Sequence, residues 1–378
     1  MKVNGMPTRG LDENIIDFIK NSDEAKGLRE IIDSIRDGNE EELFIGIRNN
    51  FIAVYFRRKC VFKKIAFKIE GDKIGFSNVE IHEAYLEFVD SNEAKESLIC
   101  LEGVKKIKKG IVEHFKRTGN WKYEHIYQQE IVLVNNGESN SKWFCFDMEY
   151  DMGQRAFGRY DILAITTVPN RLGKYNLALI ELKVDGGVFS TATSEVEKLI
   201  SGGVVKTKMN LDTNWYSYTL GSGILGHFSD YVRYLNDKGY NEKFGYTRLE
   251  TTKCETINIL KNYVELGLCD ENIKEFVNKL TVEQISSTPK FIFLTYSRKS
   301  KIKRLKDAFS GYVLGGNAYP VVDFWDEKVI DLYRNDDSEI QFKCIFKEGL
   351  PKDEANRAIF SDVEISEAKN IFDEEAYK

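Results

Sequence analysis

Three residues carry the chemistry most open to reading in this chain: Asp161, Glu181 and Lys183. They lie in the stretch Gly158–Gly187, GRYDILAITTVPNRLGKYNLALIELKVDGG. Each belongs to a short apolar run where a charged side chain is out of place. Burying a carboxylate is costly unless a cation or hydrogen bonds compensate it. Tyr160–Thr166 and Asn176–Leu182 flank a turn-forming stretch with Pro169, Asn170 and Gly173, a strand-turn-strand pattern. If the strands pair, Asp161, Glu181 and Lys183 come within reach of one another at one sheet end. Two carboxylates beside an amine make a site for a hard divalent cation.

Asp161, nineteen residues, then Glu181-Leu182-Lys183 resembles the PD-(D/E)XK signature of the restriction-endonuclease-like nucleases. Tyr160 stands where that signature has proline. The resemblance covers roughly residues 120–240. It implies an α/β fold, a central mixed sheet flanked by helices, here with a β-rich N-terminal module. It also implies a nuclease that hydrolyses phosphodiester bonds with Mg²⁺ or Mn²⁺. DNA is the expected partner, and restriction or anti-phage defence the setting. Asp161, Glu181 and the backbone carbonyl of Leu182 would be metal ligands. Lys183 would stabilise the attacking hydroxide or the charge on phosphorus. Two alternatives stay open: an RNA nuclease, and a catalytically silent nucleic-acid-binding or protein-interaction module on the same fold. A homo-oligomer is also left open.

A second tier of candidates follows from spacing. Glu124 and Gln128 are four apart and share a face if helical. In the nuclease superfamily a helix before the sheet often brings a Glu to the metal, which makes Glu124 a catalytic candidate. Glu149 ends the strand-like run Ser141–Asp151 and competes for that role. Arg159 lies two before Asp161 and suits either phosphate contact or an ion pair. His227 and Tyr231 sit on the edge of the apolar stripe Ile224–Leu235, a helix the superfamily packs beside its site, and are substrate-binding candidates.

Composition narrows the alternatives. The chain has 378 residues, 42% hydrophobic and 30% charged, which describes a folded globular protein. No apolar run approaches the ~20 residues of a membrane span, and the first residues lack a signal-peptide pattern; a cytoplasmic protein without membrane contact is expected. The six cysteines form no CxxC pair, so no zinc or redox motif is indicated. No P-loop, HExxH or GxGxxG arrangement occurs. Net charge is −6, against the basic balance of a simple DNA-binding domain. Basic clusters at Arg57–Lys64, Lys105–Lys109 and Arg298–Lys306 offset this locally.

The positioning elements read as follows. Residues 11–37 suggest one or two helices broken near Ser22–Asp23. Leu43–Arg48, Phe51–Arg57, Val61–Ile69 and Lys73–Phe76 read as a β-meander with turns at Asn49-Asn50 and Gly71-Asp72. These elements make a module over 1–92, and 93–378 the nuclease-like domain, with an insertion near 188–220. Within the second region, 95–117 reads as an amphipathic helix. Ser141–Asp151 reads as the first core strand. Residues 247–265 and 270–280 read as helices, and Lys290–Tyr296, Val321–Trp325 and Glu339–Phe346 as strands.

Overall fold

This computed structural model describes residues 9–81, 94–118, 143–151, 159–184, 247–297 and 330–348, except 41, 58, 72, 171, 288 and 336–337, with short pieces at 2–3, 6–7, 128–129, 131–133 and 136. The chain is of α/β class and packs as two units. The described residues of Met1–Met148 and Glu250–Gln284 form one; those of Glu149–Leu249 and Ile285–Glu354 form the other. The boundary expected at 92/93 falls in 82–93, outside the described residues.

The first unit opens with a two-stranded ribbon, β1 (Lys2–Val3) and β2 (Met6–Pro7). Helix α1 (Glu13–Asn21) begins where the Asp12 side chain accepts from the Asn14 N–H. It buries Ile15, Ile16, Phe18 and Ile19. Helix α2 (Lys26–Arg36) follows after a break at Ser22. Arg29 of α2 donates to the carbonyls of Ile19, Lys20 and Ser22 at the end of α1, where a helix leaves carbonyls without intrahelical partners.

Four strands then form an antiparallel meander: β3 (Leu43–Ile47), β4 (Phe51–Phe56), β5 (Lys59–Glu70) and β6 (Lys73–Glu80). Asn50 (φ 55°) and Gly71 (φ 61°) turn the hairpins in the left-handed region that these residue types tolerate. Directly paired residues share a face, so Ile47, Ile52, Ile65 and Val79 line up across the sheet. On α1, the Phe18 ring packs edge-on to Phe67 and Phe76, at 6.1 and 5.7 Å.

The helix expected over 95–117 is divided. A 3₁₀ turn at Lys95–Leu98 precedes α3 (Leu101–Thr118). Gly103 explains the division: a Cβ there would lie 2.0 Å from the Leu98 carbonyl oxygen, so the chain folds back on the first helical turn. Gly27 of α2 meets the same connection, where a Cβ would stand 1.9 Å from the Ile99 oxygen. Helix α4 (Arg248–Glu265) enters this unit at Glu250. Its Tyr263 ring lies 6.5 Å from Phe44 and 6.4 Å from Phe144, and its hydroxyl donates to the Ile45 carbonyl. Helix α5 (Glu271–Lys279) is capped by Asp270, which accepts from Ile273 N–H at 2.8 Å.

A six-stranded mixed sheet carries the second unit. Its strands are β7 (Trp143–Asp151), β8 (Arg159–Thr166), β9 (Leu177–Val184), β10 (Lys290–Ser297), β11 (Ile330–Asn335) and β12 (Ser338–Glu348), in the order β11-β12-β10-β9-β8-β7. The pairs β8–β9 and β11–β12 are antiparallel; β10 runs parallel to β9 and β12. Strand β7 forms one edge, and its residues through Met148 belong to the first unit. The β8–β9 turn is built by Asn170, whose Oδ1 accepts from the N–H groups of Leu172 and Lys174, with Gly173 at φ 72°. Strand β11 was not anticipated, and the expected strand Val321–Trp325 lies outside the described residues.

Candidate functional site

Strands β8 and β9 carry the candidate acids. Asp161 is 6% exposed and Glu181 3% exposed, each within a strand of buried aliphatic residues. The ladder pairs Ile165 with Leu177 and continues to Ile162 opposite Ile180. One step further sets Asp161 opposite Glu181, on one face of the pair. There the ladder stops, and a side chain replaces it: Asp161 Oδ2 accepts the backbone N–H of Leu182 at 2.8 Å. Asp161 therefore ties the two strands together beside Glu181. On its other side Glu181 pairs in register with Phe293 of β10, so it sits inside the sheet and not at an edge.

Lys183 follows on β9, opposite Thr295 of β10. Its side chain lies outside the described residues, as do Glu124, His227 and Tyr231. The proposed insertion at 188–220 and the basic stretch Arg298–Lys306 also lie outside them. Gln128, four residues after Glu124 in sequence, is fully buried. Its neighbour Gln129 donates Nε2 to the carbonyls of Glu42 and Tyr55, at 2.7 and 3.2 Å, which docks this segment on the meander.

Arg159 opens β8 and is 57% exposed. It forms an ion pair with Glu149, Nε to Oε2 at 2.8 Å. Glu149 itself is bent into the left-handed region, with φ 59°. For a residue with a long side chain that conformation costs on the order of 1–3 kcal/mol and needs fixed surroundings. Glu149 thus lies near the end of β7, and its carboxylate meets the first residue of β8, two residues before Asp161 along that strand.

A further buried carboxylate, Asp147, escaped the sequence reading as a site residue. It is fully buried in β7 and lies in the first unit. Arg48 donates to its Oδ1, and Arg9 donates to its Oδ2 at 2.7 Å. The Met148 N–H also donates to Oδ1, at 2.8 Å. Arg48 further donates to the Tyr55 hydroxyl, the Ile47 carbonyl and the Met148 carbonyl. Burial works against the Arg48 charge, but Asp147 beside it outweighs that effect and lifts the guanidinium above its ordinary range. Burial also pushes the Tyr55 and Tyr263 hydroxyls up, so both stay protonated. The signal for Asp147 was the same as for Asp161, an acid inside an apolar run. Its partners are 138 and 99 residues away in sequence, and no local pattern names them.

Among the described residues, no group of three or more His, Cys, Asp and Glu side chains is arranged to hold one metal ion. Two buried carboxylates on neighbouring strands nevertheless fit the oxygen chemistry of Mg²⁺, which takes one or two protein carboxylates and fills its other positions with water and substrate. Among the same residues, no helix is long and apolar enough to cross a membrane. No family model matches the chain, and neither a curated protein nor a solved structure matches it.

Proposed function

We propose that this chain is a metal-dependent nuclease of the PD-(D/E)XK type, with a restriction-endonuclease-like core, acting on DNA with Mg²⁺ or Mn²⁺. One observation supports the reading most: Asp161 and Glu181 are both buried, on paired strands, one register step past the end of their ladder. Two acids so placed are costly to a fold that does not use them. A bound divalent cation supplies charge neutralisation at the phosphate and a more acidic water.

The residues have separate tasks in this reading. Asp161 and Glu181 supply the carboxylate oxygens, and the Asp161–Leu182 hydrogen bond keeps the two strands from drifting apart. The Leu182 carbonyl is a third oxygen on the same strand. Lys183 supplies a compact positive charge for the attacking oxygen or the crowded phosphorus. Arg159 receives a phosphate oxygen. Glu124, His227 and Tyr231 remain proposed as supporting residues from the sequence. Restriction or anti-phage defence is the proposed setting.

The test is direct. Purified protein is incubated with linear, supercoiled and single-stranded DNA and with RNA, in Mg²⁺, in Mn²⁺ and in EDTA. Cleavage of DNA that EDTA abolishes supports the reading, and cleavage of RNA alone moves it to the other substrate. Binding without cleavage in any metal favours the silent-module alternative and overturns the enzyme.

A further inference from the structure

We infer that Glu149 is a positioning residue that holds Arg159 as a receptor for a phosphate oxyanion; this rests on the nuclease reading. The geometry comes first. Glu149 takes the Nε of Arg159, and an arginine carries four further N–H donors on its two terminal nitrogens. Among the described residues Arg159 has no second acceptor, and its side chain is more than half exposed. A guanidinium held through one edge and exposed elsewhere presents a planar fork that fits two oxygens of a phosphate.

The backbone gives the second observation. A surface arginine needs no strained partner for a simple ion pair, because exposed pairs contribute little. Glu149 nevertheless occupies φ 59°, where glycine or asparagine would sit more easily. The residue before it is held at both its backbone groups: the Met148 N–H donates to Asp147, and the Met148 carbonyl accepts from Arg48 at 2.6 Å. A glutamate kept at a strained, pinned position indicates a task for its carboxylate. That task is to aim Arg159, which stands two residues before Asp161 on the same strand.

Charge and aim predict opposite signs, which makes the inference testable. Glu149→Gly removes a negative charge, and charge alone would tighten the binding of a polyanion. It also removes the acceptor that orients Arg159, which would weaken binding. The probe is a fluorescently labelled DNA oligonucleotide titrated with wild type and variants in EDTA over a range of salt. Arg159→Ala should weaken binding about tenfold and reduce the log–log salt slope by about 0.7–0.9, the contribution of one phosphate contact. Glu149→Gly should also weaken binding several-fold while its thermal midpoint holds or rises, since glycine accepts the backbone angle. Glu149→Gln keeps an acceptor for Nε and should bind at least as tightly as wild type. In the Arg159→Ala background, Glu149→Gly should have no further effect.

Binding by Glu149→Gly as tight as or tighter than wild type overturns the inference, and so does an effect that persists without Arg159. Either result leaves the nuclease reading standing if the wild type still cleaves in Mg²⁺. A wild type that neither binds nor cleaves DNA or RNA ends both.

Discussion

Asp147 and the pair Asp161–Glu181 are buried acids with opposite surroundings. Asp147 lies in the first unit and is clasped by Arg9 and Arg48, with the Met148 N–H completing its shell. Asp161 and Glu181 lie in the second unit, where Asp161 binds a main-chain N–H of the neighbouring strand. The first arrangement carries its counter-charges within the fold. The second gathers two carboxylates on one face, and in the proposed function an external cation balances them. Under the proposed function, this contrast separates an acid kept for structure from acids kept for chemistry. It predicts that the two sets respond differently to substitution.

The largest expected effect is on activity. Glu181→Ala or Asp161→Ala should reduce nuclease rate by on the order of a thousandfold, about 4 kcal/mol of transition-state stabilisation, read from cleavage at saturating Mg²⁺. The same variants should fold, and Glu181→Gln should melt at or above the wild-type midpoint in EDTA, because it removes one of two like charges. Asp147→Ala should do the reverse. It leaves Arg48 buried without its carboxylate, and breaking such a pair costs roughly 3–5 kcal/mol. Chemical denaturation should show that loss at neutral pH, with any fall in activity following the unfolded fraction.

Two smaller effects sharpen the contrast on the structural side. Tyr263→Phe removes the donor to the Ile45 carbonyl, and its loss should cost about 1–3 kcal/mol in the same denaturation assay. The least is a pH effect. Burial pushes the Cys269 thiol from 9.0 up to about 11, and burial raises Tyr55 and Tyr263 as well. In each case the unfolded chain loses its proton first as pH rises, so alkali favours the unfolded state. The Cys269 contribution is intact below about pH 9 and is lost as pH rises towards about 11. Melting midpoints measured from pH 8 to 11 should fall over that window. Cys269→Ser should flatten part of the fall.

Most of the described local structure was readable because its causes are local. The β-meander announced itself through alternation and through Asn50 and Gly71 at its turns. The β8–β9 hairpin did so through Asn170 and Gly173 between two aliphatic runs. Asp161 and Glu181 stood out because a carboxylate in such a run is anomalous wherever it occurs. What escaped depends on distance in the chain. Nothing near Asp147 names Arg9 or Arg48. Nothing local to Gly103 shows that a Cβ there would meet the Leu98 carbonyl. The left-handed turn of Glu149 follows no residue preference, and the bond from Arg48 to the Met148 carbonyl beside it spans 100 residues of sequence.

The central claim is that Asp161 and Glu181 together hold a divalent cation. Mn²⁺ binding, followed by electron paramagnetic resonance on wild type, Asp161→Asn, Glu181→Gln and Asp147→Asn, tests it without any nucleic acid. Saturable Mn²⁺ binding that Asp161→Asn and Glu181→Gln each weaken at least tenfold, and that folded Asp147→Asn retains, is the predicted result. Mn²⁺ affinity unchanged in Asp161→Asn and Glu181→Gln, or absent from the wild type, would contradict it.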